Sequence, residues 1–259
     1  MKPIRIVRLS PSSQSAHLKA RLIQAAINGR RTRAEHPGVP TTPDQQALAA
    51  AECVAAGAGA IHLHVRAPDG RESVAAGDVA RAVAAMRGAV PGVPIGVSTG
   101  AWIVVDSERR LKEVERWTVL PDYASVNFHE DGSRQLAELL HSRGVGIEAG
   151  LSNARGGEVL RESGLAQHCL RVLLEPPDQD ADAALGVVTQ LEAMLDGAGI
   201  TIPRLLHGVG RAAWHIIDEA ATRGYHTRVG FEDILTLPDG ATAPSNAALV
   251  VEARRRMCA

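Results

Sequence analysis

Eight short apolar segments recur along the chain with helical stretches between nearly all of them. This alternation constrains the fold more than any single motif. The segments are "LIQAAIN" (22–28), "AIHLHVR" (60–66), "PIGVSTG" (94–100), "YASVNFHE" (123–130), "GIEAGLS" (146–152), "RVLLEPP" (171–177), "PRLLHGVG" (203–210) and "TRVGFED" (227–233). The intervening stretches are rich in Ala, Leu and Glu at helical spacing, among them "SERRLKEVERW", "SRQLAELLHSRG", "ADAALGVVTQLEAMLDGAG" and "AAWHIIDEAATRG". "TPDQQALAAAECVAAGAGA" opens with a Thr-Pro-Asp start signal and ends in glycines. "SNAALVVEARRRM" closes the chain with arginines where a helix dipole favours them. Strand then helix, eight times, predicts an α/β fold of the (β/α)8 TIM-barrel type. The length of 259 residues suits one such domain. The structural alternative is an open doubly wound sheet, but the first strand–helix junction lacks a glycine-rich nucleotide fingerprint. Residues 21–259 are expected to form the single catalytic barrel. Residues 1–20 are expected to be an N-terminal extension that caps the barrel floor or is disordered. The stretch 29–43, "GRRTRAEHPGVPTTP", reads as a long loop after strand one, a length often tied to function.

Side chains on a strand alternate between two faces. In "AIHLHVR", Ile61, Leu63 and Val65 take the helix side, so His62, His64 and Arg66 face the barrel interior. The same reading turns Ser98, Ser125, Asn127, His129, Glu148, Glu175, Arg228 and Glu232 inward, and Asn28 closes strand one. Interior polar groups thus gather late in their strands: Asn28, His62, His64, Ser98, His129, Glu148, Glu175, His207 and Glu232. Barrel enzymes carry their chemistry at that end. Any one of these residues has an ordinary explanation as a satisfied core group or half of a buried ion pair. Their convergence does not, because an unpaired buried polar group costs about 1–3 kcal/mol. An active site is expected there.

His-x-His on a strand puts two imidazoles on one face, about 6–7 Å apart at Cα, within reach of one ion. A catalytic zinc takes three protein ligands and keeps one position open. Glu232, interior and at a strand end, is the best third ligand, with His129 and His207 as rivals.

Composition narrows the partners. With 28 basic and 29 acidic residues, the net charge of -1 gives no footprint for nucleic acid or an anionic membrane. Aromatic residues at 3% do not supply a base-stacking surface. No apolar run approaches the roughly 18 residues of a membrane span. The N-terminus is basic but lacks the apolar core of a signal peptide. Cys53, Cys169 and Cys258 are odd in number and scattered, which argues against a disulfide framework and makes the cytoplasm the expected compartment.

Seven stretches together resemble the β-keto acid cleavage enzymes of the 3-keto-5-aminohexanoate cleavage type. They are "NGRRTRAEHPGVPTTP", "GAIHLHVRAPDGRES", "GVSTGAW", "PDYASVNFHEDG", "GIEAGLSN", "LLHGVGRAAW" and "RVGFEDILTLPDGATAPSNAALV", spread over about residues 22 to 256. The resemblance implies a TIM barrel, a divalent metal (usually zinc), acetyl-CoA as co-substrate and a homotetramer. It implies condensation of a β-keto acid with acetyl-CoA to give acetoacetate and a new acyl-CoA. Carried over by position, His62, His64 and Glu232 would hold the metal. Asp233 and Arg228 match the base and its partner. Ser73 matches a substrate-contacting serine, and Thr99 and Glu148 match polar residues around the reacting centre. Asn28, Ser98 and Arg31 complete the expected substrate contacts, and Glu148 rivals Asp233 for the base.

Two departures bear on the substrate. Many members carry Thr-Gly-x-Glu after strand one, whose Glu recognises an amino group. Here the segment is Asn28-Gly29-Arg30-Arg31, and an arginine suits an anionic or neutral substrate. After strand six, "LLEPPDQD" stands where longer members have a glycine-rich loop, which marks a shorter branch. Arg31, His36, Trp102, His129 and Glu175 are the expected pocket residues.

The leading alternative is a metal-dependent hydrolase of the amidohydrolase kind. In that class His-x-His ends the first strand, and here it ends the second. The chain's lysines, Lys2, Lys19 and Lys112, also offer no metal-bridging group at the mouth and no Schiff-base aldolase. A non-catalytic ligand-binding barrel would not need the Arg228, Glu232, Asp233 and His-x-His set.

Overall fold

The computed structural model describes residues 21–258. The expected extension, residues 1–20, lies outside them. Strands β1 (Ile23–Ala26), β2 (Ala60–Leu63), β3 (Ile95–Ser98), β4 (Tyr123–Asn127), β5 (Gly146–Leu151), β6 (Cys169–Leu174), β7 (Arg204–Leu206) and β8 (His226–Val229) alternate with eight helices. These are α1 (Pro43–Ala56), α2 (Ala76–Ala89), α3 (Ser107–Glu115), α4 (Ser133–Ser142), α5 (Ala154–Ser163), α6 (Ala181–Gly197), α7 (Ala213–Arg223) and α8 (Asn246–Met257). All neighbouring strands are parallel, and β1 pairs with both β2 and β8, so the sheet closes into the expected barrel. Helix starts follow side-chain capping: Thr42, Asp106, Asn153, Asp180 and Ser245 each accept a backbone N–H from the first turn.

The strands are shorter than their apolar segments. β2 ends at Leu63, so His64 lies just past the ladder, and β8 ends at Val229. The chain leaves the sheet at Gly230, which passes so close to β1 that a Cβ there would lie 2.0 Å from the Ala26 carbonyl oxygen. The Asp233 N–H then donates to the Gly230 carbonyl at 2.9 Å, closing a tight turn. That turn, rather than strand, carries Glu232 and Asp233.

The outward strand residues, among them Ile61, Leu63, Ile95, Val97, Val126 and Val172, pack fully buried against the helices. The interior is polar where many barrels use branched apolar residues. The Gln24 amide donates to the Tyr123 hydroxyl oxygen at 2.8 Å and to Glu148 Oε1 at 2.9 Å. Arg171 Nε donates to the same Glu148 oxygen at 2.6 Å, and its guanidinium lies 5.0 Å over the Tyr123 ring. Gly96 leaves room for that ring, since a Cβ there would meet it at 2.0 Å. This ion-paired layer supports the mouth from beneath.

Candidate active site

His62 projects inward from β2 and His64 follows it on the same side, with ring centroids 5.5 Å apart. Glu232 reaches both from the turn after β8: Oε2 lies 3.5 Å from His62 Nε2 and Oε1 lies 3.1 Å from His64 Nε2. Ligands bonded tetrahedrally at ~2.0–2.1 Å stand about 3.3 Å from one another, so these separations suit one shared ion. Among the described residues this trio is the one group of histidines, cysteines and carboxylates that converges so, with ligand atoms within 4.8 Å of one another. Glu232 Oε2 is buried and has no hydrogen-bond partner, as expected of a lone pair meant for a cation. The donor set therefore fits a divalent metal. His129 and His207, the rival ligands, stay outside it.

Electrostatics agree with that reading. Burial pushes Glu232 up, but Arg228 and the two imidazoles overcome it and hold the carboxyl well below its usual range. Burial drives His62 down to about 4, leaving it a neutral lone-pair donor. Burial acts likewise on His64, yet Glu232 and Glu72 raise it to about 9. His64 is thus placed where positive charge is wanted, and a cation at Nε2 meets the same demand as a proton.

Glu72 is the functional residue that the sequence reading missed. Its Oε1 lies 2.5 Å from His64 Nδ1 and also accepts from Trp102 Nε1 at 3.1 Å. A carboxylate on the far nitrogen fixes the tautomer and orientation of a metal-ligating histidine. A hairpin delivers it: Arg66 and Glu72 pair antiparallel, and Gly70, at φ 84°, turns the chain between them. Trp102 stacks on the His64 ring at 5.9 Å, and the Arg30 guanidinium lies 5.6 Å over Trp102.

Arg228, inward on β8, ties the two acids of the turn. Its NH2 donates to Glu232 Oε1 at 2.7 Å and to Asp233 Oδ1 at 2.9 Å, and its Nε donates to Asp233 Oδ2 at 3.2 Å. Burial pushes Asp233 up, but Arg228 and His207 more than offset it, so the carboxyl is held below its ordinary value. An ionised carboxylate beside the metal trio can accept a proton from carbon.

A cavity of about 680 Å³ opens at the mouth, lined by His64, Arg228, Glu232, Asp233, Arg31 and Trp102 among others. His129 and Glu175 line it as expected, joined by Arg30, Asn127, Ser152 and His207. Arg31 is committed to Glu35 at 3.1 Å, so its charge is already balanced.

Several expected substrate contacts fall elsewhere. Asn28 is fully buried behind the cavity, with its amide donating to the His64 and Pro40 carbonyls and its oxygen accepting the His64 N–H. It fixes the His64 backbone and has no group left for substrate. The Thr99 hydroxyl donates to the Ser125 carbonyl at 2.6 Å, and Ser98 is buried beside it. Ser73 donates to Asp78 at 2.5 Å and faces a neighbouring cavity of about 600 Å³ that shares Trp102 with the first. Glu148 is 0% exposed, one layer beneath the mouth; its Oε1 accepts from both Arg171 and Gln24, while its buried Oε2 has no hydrogen-bond partner. His36 packs on Phe231 at 4.3 Å instead of lining the pocket.

A family profile described as beta-keto acid cleavage enzyme matches residues 21–143 and 178–259. The chain is 30% identical over 253 residues to 3-keto-5-aminohexanoate cleavage enzyme of Fusobacterium nucleatum, covering 88% of each protein. It is 28% identical over 250 residues to 3-oxoadipate:acetyl-CoA acetyltransferase of Cupriavidus necator, covering 88% of this chain and 85% of that one. Among solved structures, a ternary complex of ObcA with C4-CoA adduct and oxalate shares the fold at TM-score 0.70 and 17% identity. That alignment covers 86% of this chain, and this chain spans 64% of the ObcA chain. The stretch between the two matched parts of the profile, 144–177, carries Glu148, Ser152, Arg171 and Glu175.

Proposed function

Because the chain belongs to the β-keto acid cleavage enzymes, we propose that it condenses a β-keto acid with acetyl-CoA and releases acetoacetate and a new acyl-CoA. The observation that carries this reading is Asp233, buried and held ionised by Arg228, directly beside the His62, His64 and Glu232 trio. The metal-dependent hydrolase alternative finds no support in these relatives.

A divalent ion, zinc by the His2Glu character of the set, would be held by His62, His64 and Glu232 and would supply Lewis acidity toward the keto and carboxylate oxygens of the substrate. Asp233 takes a proton from C2 of the keto acid, and Arg228 keeps that carboxylate charged and in place until it does. The C2 electron pair forms a bond to the acetyl carbonyl carbon, and the CoA thiolate leaves. The thiolate then bonds to the former keto carbon, the C2–C3 bond breaks, and the electron pair stays with the acetoacetate half. Asp233 then returns its proton to C2. Glu72 and Asn28 hold His64 through its ring and its backbone, and the Glu148–Arg171 pair supports the floor.

We also propose a homotetramer, on the family membership alone, and a cytoplasmic setting, on the three scattered free cysteines Cys53, Cys169 and Cys258. Among the described residues no helix is long and apolar enough to cross a membrane. Analytical ultracentrifugation tests the assembly.

The decisive experiment incubates the protein with acetyl-CoA and a panel of β-keto acids and reads acetoacetate formation. Acetoacetate should appear from at least one acid and stop when the metal is chelated. Elemental analysis should find about one metal per chain, lost when His62→Ala and His64→Ala are combined. No acetoacetate from any acid, or full metal retention in the double variant, overturns the reading.

A further inference from the structure

His207 is used by none of the steps above. It follows β7, and its N–H donates to the Leu174 carbonyl at 3.2 Å, which keeps it in line with the barrel. The residue is 2% exposed. Its ring lies between two carboxylates brought by different elements. Nδ1 is 3.4 Å from Asp233 Oδ1, and Nε2 is 3.6 Å from Glu175 Oε2. Both are ion-pair contacts longer than a good hydrogen bond, and neither buried nitrogen has a hydrogen-bond partner. A neutral imidazole has one N–H and one lone pair, so it can donate to only one of two flanking carboxylates. The imidazolium can donate to both. Burial and the nearby Arg228 push His207 down, but Asp233 and Glu175 outweigh them and raise it above its ordinary value.

The contact falls on a particular atom. Asp233 Oδ1 already accepts from Arg228 NH2 at 2.9 Å, and His207 approaches the same oxygen. Oδ2 accepts only the longer bond from Arg228 Nε, at 3.2 Å. Pinning Oδ1 from two sides leaves Oδ2 as the oxygen with lone pairs to spare for a substrate proton.

We infer that His207 is a positioning residue for the proton-abstracting carboxylate: it bridges Asp233 to Glu175, so that Asp233 is held by Arg228 from one side and by His207 from the other. Glu175 is the far anchor of this bridge, which gives a cavity-lining residue in the segment 144–177 a role in the chemistry. The inference rests on the proposed function, since it takes Asp233 as the base.

The test compares His207→Leu with His207→Asn. The leucine fills much of the ring volume and has no donor. The asparagine restores an N–H near the position of Nδ1. Three quantities are read: metal content, KM and kcat with acetyl-CoA, and C2 deuterium exchange of the β-keto acid without acetyl-CoA. His207→Leu should keep its metal and its KM for acetyl-CoA, yet lose about 10- to 100-fold in both kcat and exchange, because a small misplacement of a reacting group costs that much. His207→Asn should recover most of the exchange rate. A purely structural role would move both variants alike. Wild-type exchange in His207→Leu, or equal losses in Leu and Asn with metal retained, overturns the inference. Should His207→Leu fail to fold, Glu175→Gln decides: kcat and exchange should fall together with metal retained, and unchanged values refute the bridge. Absence of exchange in the wild-type protein for every acid tried would instead count against the proposed function.

Discussion

The sharpest test of the metal site is to change Glu72, which touches no substrate in the proposed chemistry. Its carboxylate meets His64 Nδ1 at 2.5 Å. Its side chain is 12% exposed, so solvent screens the contact weakly. A hydrogen bond to a charged group contributes about 1.5–3 kcal/mol, against about 0.5–1.5 kcal/mol for a neutral one. Glu72→Gln keeps the shape and an accepting oxygen but removes the charge. It should cost about 1–1.5 kcal/mol of zinc binding, or roughly 5- to 12-fold in affinity. Glu72→Ala removes the whole interaction and should cost about 10- to 150-fold. That range overlaps the roughly 10–100-fold found when the outer partners of metal-bound histidines are removed. The alanine also strips Trp102 Nε1 of its acceptor, so the indole stacked on His64 should change its fluorescence. Zinc affinity is measured by competition with a chromogenic chelator at fixed pH, and circular dichroism checks the fold. Wild-type affinity in Glu72→Ala, or equal losses in the two variants, would show that the carboxylate does not act through its charge on His64.

Three further outcomes follow from the site. Asp233→Asn should keep its metal and bind substrate while losing at least ~100-fold in kcat, with C2 exchange falling in parallel; normal exchange there and loss in Glu148→Gln would move the base to Glu148. An amino-bearing β-keto acid should show a lower kcat/KM than a neutral one of equal length, and since Arg31 is balanced by Glu35 the repulsion rests mainly on Arg30; preference for the amine would contradict this. Burial raises Glu148, but Arg171, His62 and Arg228 overcome it, so its folded pKa lies below its ordinary value of 4.5. Its stabilisation is therefore complete above that value and is lost as pH falls through the lower folded pKa. Urea midpoints measured from pH 6 downward should show an acid limb that shrinks in Glu148→Gln; an unchanged limb would assign acid lability to other carboxylates.

The barrel was legible because eight short segments with an apolar helix-facing side recur along the chain, and helices, several with Thr, Asp, Asn or Ser starts, separate them. His62 and His64 were legible because residues two apart share a strand face. Glu232 and Asp233 were found although they lie on a turn, since Gly230 leaves the ladder only after the inward direction is set. Glu72 escaped because its position depends on a reversal: "RAPDGRE" folds back on itself and returns the acid to His64. The Pro-Asp-Gly sequence between Arg66 and Glu72 is a turn signal. Pairing the residues on either side of it would have brought Glu72 alongside Arg66.

Depth along the barrel axis is the quantity that alternation does not carry. Glu148 and Glu175 both read as inward acids on adjacent strands, and both do face inward. Yet Glu148 pairs in register with Ser125 on one side and Arg171 on the other, beneath the mouth, whereas Glu175 follows the last ladder residue of β6 and reaches the cavity. Strands in a barrel are tilted and staggered, so residues at one height come from different points along their strands. The stagger is fixed by which backbone groups pair, a property of two strands together. Asn28 makes the same point, since it closes β1 at the height of the His64 backbone and meets that backbone's N–H and C=O. Facing thus follows from one strand read alone, and depth only from its neighbours. For that reason the convergence of His62, His64 and Glu232, joined across β2 and β8 through β1 between them, was easier to foresee than the residues that hold it in place.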